Sequence, residues 1–125
     1  MTKILLIEDD EQLREMVRLL LTEAGYLVSL ARDGIEGIRR HRTDPADLVL
    51  TDIVMPNKEG LETIIELRRE YPDLRIVAMS GSTYSPTWLK TARLLGVQRT
   101  LLKPFTIPQL TGAIAEVLAD RRAGT

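Results

Sequence analysis

Five short apolar runs alternate with five amphipathic segments along this chain, and that alternation restricts its fold more than any other feature. Lys3–Ile7 (KILLI), Leu27–Leu30 (LVSL), Asp47–Thr51 (DLVLT), Leu74–Met79 (LRIVAM) and Arg99–Lys103 (RTLLK) are expected strands. Three of them are nearly continuous in apolar residues rather than alternating, the pattern of strands buried on both faces. Helical patterns lie between and after them. Glu11–Ala24 lines up Leu13, Met16, Val17, Leu20, Leu21 and Ala24 on one face, with Asp10 as N-cap and Gly25 as stop. Gly34–His41 is short and capped by Asp33. Glu59–Glu70 carries Leu61, Ile64, Ile65 and Leu67 and ends before Pro72. Pro86–Leu95 begins on a proline and stops at Gly96. Ile107–Arg121 carries Ile107, Leu110, Ile114, Val117 and Leu118, with Thr106 as cap.

Strands and helices in strict alternation predict an α/β fold with a parallel sheet. The expected form is a single five-stranded parallel sheet, (βα)5 and flavodoxin-like, in strand order 2-1-3-4-5 with helices on both faces. The length of 125 residues fits one domain, expected to span residues 1–125 with a core over about 3–118 and a tail over about 119–125. The formal net charge is −1, from 17 basic and 18 acidic residues, so composition supplies no field for nucleic acid or an anionic membrane. With no cysteine, disulfides, thiol catalysis and thiolate metal sites are excluded. No apolar run approaches a membrane span and the N-terminus lacks a signal-peptide pattern, so the expected location is cytoplasmic. His41, the lone histidine, stands at the end of a short helix and is read as solvated surface.

In such a sheet, ligands bind at the carboxyl ends of the strands, and that is where the chemistry-bearing residues fall. The first strand runs into Glu8, Asp9 and Asp10; the third ends at Asp52, the fourth at Ser80 before Gly81 and Ser82, and the fifth at Lys103 before Pro104. A carboxylate after a buried strand is costly unless it is paired. The topology brings Asp9 and Asp52 together from neighbouring strands, with Ser80 and Lys103 opposite. Converging carboxylates either take up a proton or bind a cation. Oxygen ligands with no His or Cys nearby suit Mg2+. An acid cluster, a cation, a hydroxyl and an ammonium around one pocket suit a transferring phosphoryl group, and a carboxylate can itself accept it. Each element alone has a plainer reading: a helix cap for EDD, a turn acid for Asp52, an ordinary turn at Ser80, a surface lysine at Lys103.

The segments ILLIEDDEQLREMV, DLVLTDIVMPNKEG, RIVAMSG and LLKPF, in that order and at these separations, resemble the receiver domain of bacterial two-component response regulators. The resemblance runs from about Lys3 to about Leu118. It implies that Asp52 accepts a phosphoryl group from a phosphohistidine on a sensor histidine kinase or a histidine phosphotransfer protein. It implies Mg2+ held directly by Asp9, with Glu8 assisting through water, Asp52 as a third carboxylate and Val54 through its backbone carbonyl. Ser80 and Lys103 would each engage a phosphoryl oxygen, Pro104 would follow a cis bond, and Gly60 matches the family's loop glycine. Of the three adjacent acids, Glu8 and Asp9 are taken as the pair because Arg14 stands five residues after Asp9, as the family often has it. Asp10 is then the helix cap.

By the same resemblance the chain is a signalling phosphoacceptor rather than an enzyme. It has no second histidine for an internal relay, and no helix-turn-helix or basic recognition helix. Its expected output is contact with a downstream protein through the fourth helix, fifth strand and fifth helix, without direct nucleic-acid or membrane binding. One departure bears on that output: many receivers carry Tyr or Phe three residues before the lysine, and here that position is Thr100. Switching is therefore expected to involve the loop Ser82–Trp88 and the fourth helix. Tyr84 and Trp88 there fit packing or an interface equally well. The alternative is a pseudo-receiver, an interaction module independent of phosphorylation. A haloacid dehalogenase-type phosphatase would want a second Asp where Val54 stands, and a nucleotide site would want glycines where IEDDEQ stands.

Overall fold

The structure, a computed structural model, describes residues 1–53, 60–81 and 85–120, the side chains of 85–89 excepted. Its elements are β1 (Lys3–Ile7), α1 (Glu11–Glu23), β2 (Leu27–Ala31), α2 (Gly34–Thr43), β3 (Leu48–Asp52), α3 (Gly60–Glu70), β4 (Arg75–Gly81), α4 (Ser85–Leu94), β5 (Arg99–Lys103) and α5 (Ile107–Ala119). The five strands form one sheet in the order β2-β1-β3-β4-β5, and every pairing is parallel. The fold expectation is met, and the expected boundaries lie within two residues of those observed.

Side chains alternate across each strand, so the continuous apolar runs feed two cores at once. Leu5, Ile7, Val49, Ile76 and Ala78 point into one, with Ile38 of α2 and Ile64 and Leu67 of α3. Ile4, Leu6, Leu48, Leu50, Val77 and Met79 point into the other, with Val17 and Leu21 of α1 and Leu110, Ile114 and Val117 of α5. The central strands β1, β3 and β4 are thus buried on both faces, which fixes their carboxyl ends side by side.

The caps read from the sequence are present. Asp10, Asp33 and Thr106 each accept a hydrogen bond from a backbone amide three residues on, and Thr106 forms a full capping box with Gln109. Gly25 and Gly96, just beyond α1 and α4, take φ of 99° and 83°, the left-handed region glycine adopts without strain. Arg68 ties the end of α3 to its surroundings: its guanidinium donates to the carbonyls of Pro72 (2.8 Å), Leu74 (2.7 Å), Gly96 (2.9 Å) and Leu95 (3.3 Å).

Two expectations are corrected here. His41 is buried, not solvated: α2 runs on to Thr43, and the imidazole Nδ1 accepts the amide hydrogen of Ala46 at 3.1 Å. Its ring meets Tyr71 edge-on, with centroids 4.5 Å apart. Burial holds its pKa below the usual histidine value, against a smaller upward pull from Glu70. The apolar face of α1 is also narrower than its periodicity implied. Val17 and Leu21 are buried and Leu13 and Leu20 partly so, but Met16 is half exposed and Ala24 lies outside the contact.

Candidate functional site

The turn between β1 and α1 assigns different tasks to its three acids. Glu8 turns inward and is almost fully buried, at 1% exposure. Its amide donates to Ala31 O (3.0 Å), its carbonyl accepts from the Arg14 guanidinium (2.9 Å), and its Oε2 accepts from the amide of Asp10 (3.1 Å). Asp10 caps α1 through the amide of Leu13 at 3.1 Å. Asp9, between them, is exposed. Asp10 is thus the helix cap, as expected from the sequence.

Asp52 closes β3 and is itself buried. Parallel register sets it beside Met79, so Ser80 is one residue further along the adjacent strand; the next strand carries Lys103 opposite Gly81. Lys103 reaches across the sheet edge: its Nζ lies 2.7 Å from Glu8 Oε1 and 3.1 Å from Asp52 Oδ2. The carboxylates of Glu8, Asp9 and Asp52 each present an oxygen, all within 4.8 Å of one another. Ser80 is fully buried, its hydroxyl donating to Gly81 O at 3.3 Å. The Lys103–Pro104 bond is cis, as the resemblance implied. A cleft of about 410 Å3 opens beside Lys103, bounded by Asp10, Leu13, Met16, Gly81, Pro104 and Phe105. Val54, the loop Ser82–Tyr84 and the side chain of Trp88 lie outside the described residues. Thr100 is half-buried and its hydroxyl accepts from Arg93 at 3.4 Å, a polar contact in place of an aromatic ring.

Gly60 holds the far side of the site. Its amide donates to Ile53 O at 2.7 Å, and a Cβ built there would lie 2.6 Å from that oxygen and closer still to Asp52 O and Ile53 Cα. The start of α3 therefore touches the backbone at the end of β3 with no room for a side chain.

Burial and neighbouring charge perturb Glu8 and Lys103. Burial pushes Glu8 up to about 7, the charge of Asp52 adds to this, and Lys103 and the Asp10 amide oppose it. Desolvation pulls Lys103 down, but its hydrogen bond and ion pair with Glu8, with Asp52 added, outweigh it and hold the ammonium above its ordinary value. The folded state thus binds the Glu8 proton more tightly than the unfolded chain does. The resulting stability is complete below about pH 4.5 and is lost as pH rises through about 7. Compared with Glu8→Gln, metal-free protein is expected to lose about 3 kcal/mol of stability between those limits. Urea unfolding of both proteins in chelator, at acid and at mildly alkaline pH, measures this; a constant difference between them contradicts it.

The donor set among the described residues fits a hard divalent cation: three clustered carboxylates, no nitrogen or sulfur ligand, and one of the acids exposed to solvent.

Comparison with known proteins agrees with the geometry. The family model of the response regulator receiver domain matches residues 4–115. A probable C4-dicarboxylate response regulator, DctR, of Halalkalibacterium halodurans is 35% identical over 116 residues, covering 91% of this chain and 50% of that protein. The chain spans about half the length of this and similar relatives. The chemotaxis protein CheY of Halobacterium salinarum is 31% identical over 116 residues, covering 93% of this chain and 96% of that one. The crystal structure of the response regulator protein TrrA of Thermotoga maritima, in complex with Mg2+-BeF, is similar at a TM-score of 0.85 and 27% identity, covering 94% of this chain and 99% of that one.

Proposed function

The chain belongs to the response regulator receiver domain family, and from that premise we propose that Asp52 accepts a phosphoryl group from a phosphohistidine on a partner protein, with Mg2+ bound alongside. The observation that carries this reading is the placement of Lys103 between Glu8 and Asp52, with all three carboxylates of the cluster in reach of one cation.

The transfer breaks the P–N bond of the donor and forms a P–O bond to an Asp52 carboxylate oxygen. The imidazole leaves neutral when its other ring nitrogen carries a proton. Asp52 is fixed for attack because β3 is buried on both faces up to its last residue. Lys103 pairs with one phosphoryl oxygen, and the Ser80 hydroxyl turns from Gly81 O to donate to another. Asp9, Glu8, Asp52 and the Val54 carbonyl would hold Mg2+, which when bound neutralises charge on the transferring group.

On this reading residues 1–125 are a single receiver domain and signalling phosphoacceptor, acting in the cytoplasm. The donor is a sensor histidine kinase or histidine phosphotransfer protein. The output is a downstream protein contacting α4, β5 and α5, with no direct nucleic-acid or membrane binding. The pseudo-receiver reading has no observation in its favour.

Incubation with a small acyl phosphate and Mg2+, followed by intact mass, tests the proposal. One phosphoryl group is expected with Mg2+ and none in chelator. An unchanged mass in both would favour the pseudo-receiver.

A further inference from the structure

We propose that Arg14 is a positioning residue for the acid cluster: by fixing the peptide unit between Glu8 and Asp9 it holds Asp9 where a divalent cation needs it. The inference rests on the Mg2+ reading above.

The Arg14 guanidinium donates to the carbonyl oxygen of Glu8 at 2.9 Å. That carbonyl belongs to the planar peptide unit that leads into Asp9, so its direction determines where the Asp9 side chain emerges. The neighbouring joints of the turn have their own bonds. The Glu8 amide is held by Ala31 O, the Asp10 amide by Glu8 Oε2, and the Asp10 side chain by the amide of Leu13. Among the described residues, the side-chain donor to the Glu8 carbonyl is Arg14. Helix α1 delivers the guanidinium there, since the Arg14 amide already bonds Asp10 O at 2.8 Å, and one turn returns the side chain toward the strand end.

Arg14 and Lys103 are both cations beside the acids, but they act differently. Lys103 sits on carboxylate oxygens of Glu8 and Asp52, where an incoming ion must contend with it. Arg14 sits on a carbonyl behind the cluster. It adds positive charge near three acids and occupies none of the cluster's carboxylate oxygens in doing so. A hydrogen bond to a charged donor is among the stronger ones, so the peptide plane has a definite orientation to lose.

Calorimetric Mg2+ titration of the wild type, Arg14→Met and Arg14→Lys tests this, with amide spectra of the metal-free proteins. Arg14→Met, a good helix former with neither donor nor charge, is expected to bind Mg2+ roughly tenfold more weakly, as loss of a ligand's supporting bond does. Its Asp9 and Asp10 amide signals should move while those of β4 and β5 stay in place. Arg14→Lys keeps a donor and the charge and is expected to remain within about threefold of the wild type. If the methionine variant does not fold, Arg14→Leu, likewise without donor or charge, carries the same tenfold expectation. Equal affinity of the methionine variant and the wild type overturns the proposal alone, as does a lysine variant as weak as the methionine one. A wild type that takes up no Mg2+ overturns both the proposal and the reading beneath it.

Discussion

Replacing Lys103 by methionine is expected to slow phosphoryl capture from a small donor by roughly a hundredfold or more, the usual cost of removing one fixed donor to developing charge. The ammonium is held within hydrogen-bonding distance of Asp52, so it meets the incoming oxygens without rearranging. A second effect concerns the resting protein. Lys103 is the cation between two buried carboxylates, and removing one member of such a group leaves the others desolvated without compensation. Metal-free Lys103→Met should therefore lose about 3 kcal/mol of stability at mildly alkaline pH. The deficit should shrink toward pH 6, where Glu8, with a pKa of about 7, takes up a proton. Mass-spectrometric time courses give the first result and urea unfolding in chelator the second. A lysine that merely closes a strand at the surface would give neither.

Gly60→Ala is expected to be the most disruptive change to the fold, costing about 3 kcal/mol or more. The reason is neither helix propensity nor backbone conformation. An added methyl would overlap the carbonyls of Asp52 and Ile53 and the Cα of Ile53, all backbone atoms that cannot swing aside. α3 would have to lift from the end of β3, breaking the bond from Gly60 N to Ile53 O and freeing Asp52 to move. Gly112→Ala supplies the contrast. Gly112 is exposed within α5 and an added Cβ meets nothing within 4 Å, so that change should stabilise by about 0.5–1 kcal/mol. Chemical unfolding of both variants reads the difference, and equal effects would contradict this account of Gly60.

The sheet and its order are legible in the sequence because burial on both faces demands continuous apolar runs, and few other constraints produce them. KILLI, DLVLT and LRIVAM correspond to β1, β3 and β4 within two residues. The candidate site was legible for a related reason: Glu8 follows and Asp52 ends such a run, Lys103 ends the fifth strand, and the topology brings the three to one edge. His41 was not legible. It follows two arginines on a short helix, a context that reads as solvent, and its partners are the amide of Ala46 and the ring of Tyr71 from α2's own exit and from beyond α3. Met16 was misread because a helix on a sheet buries a narrower stripe than its full apolar periodicity. The contact between Arg14 and Glu8 O had only an indirect sign, the five-residue spacing from Asp9; no local pattern announces a side chain that reaches back to a backbone carbonyl.

The glycine and lysine variants probe the frame around Asp52. The central claim is that Asp52 itself carries the phosphoryl group. Borohydride reduction of the phosphorylated protein converts an acyl phosphate to the corresponding alcohol, so an aspartyl phosphate becomes homoserine at its own position. Peptide sequencing by mass spectrometry after reduction should find homoserine at position 52 and nowhere else. Homoserine at position 9, or phosphoserine at position 80 that survives reduction, would contradict the account.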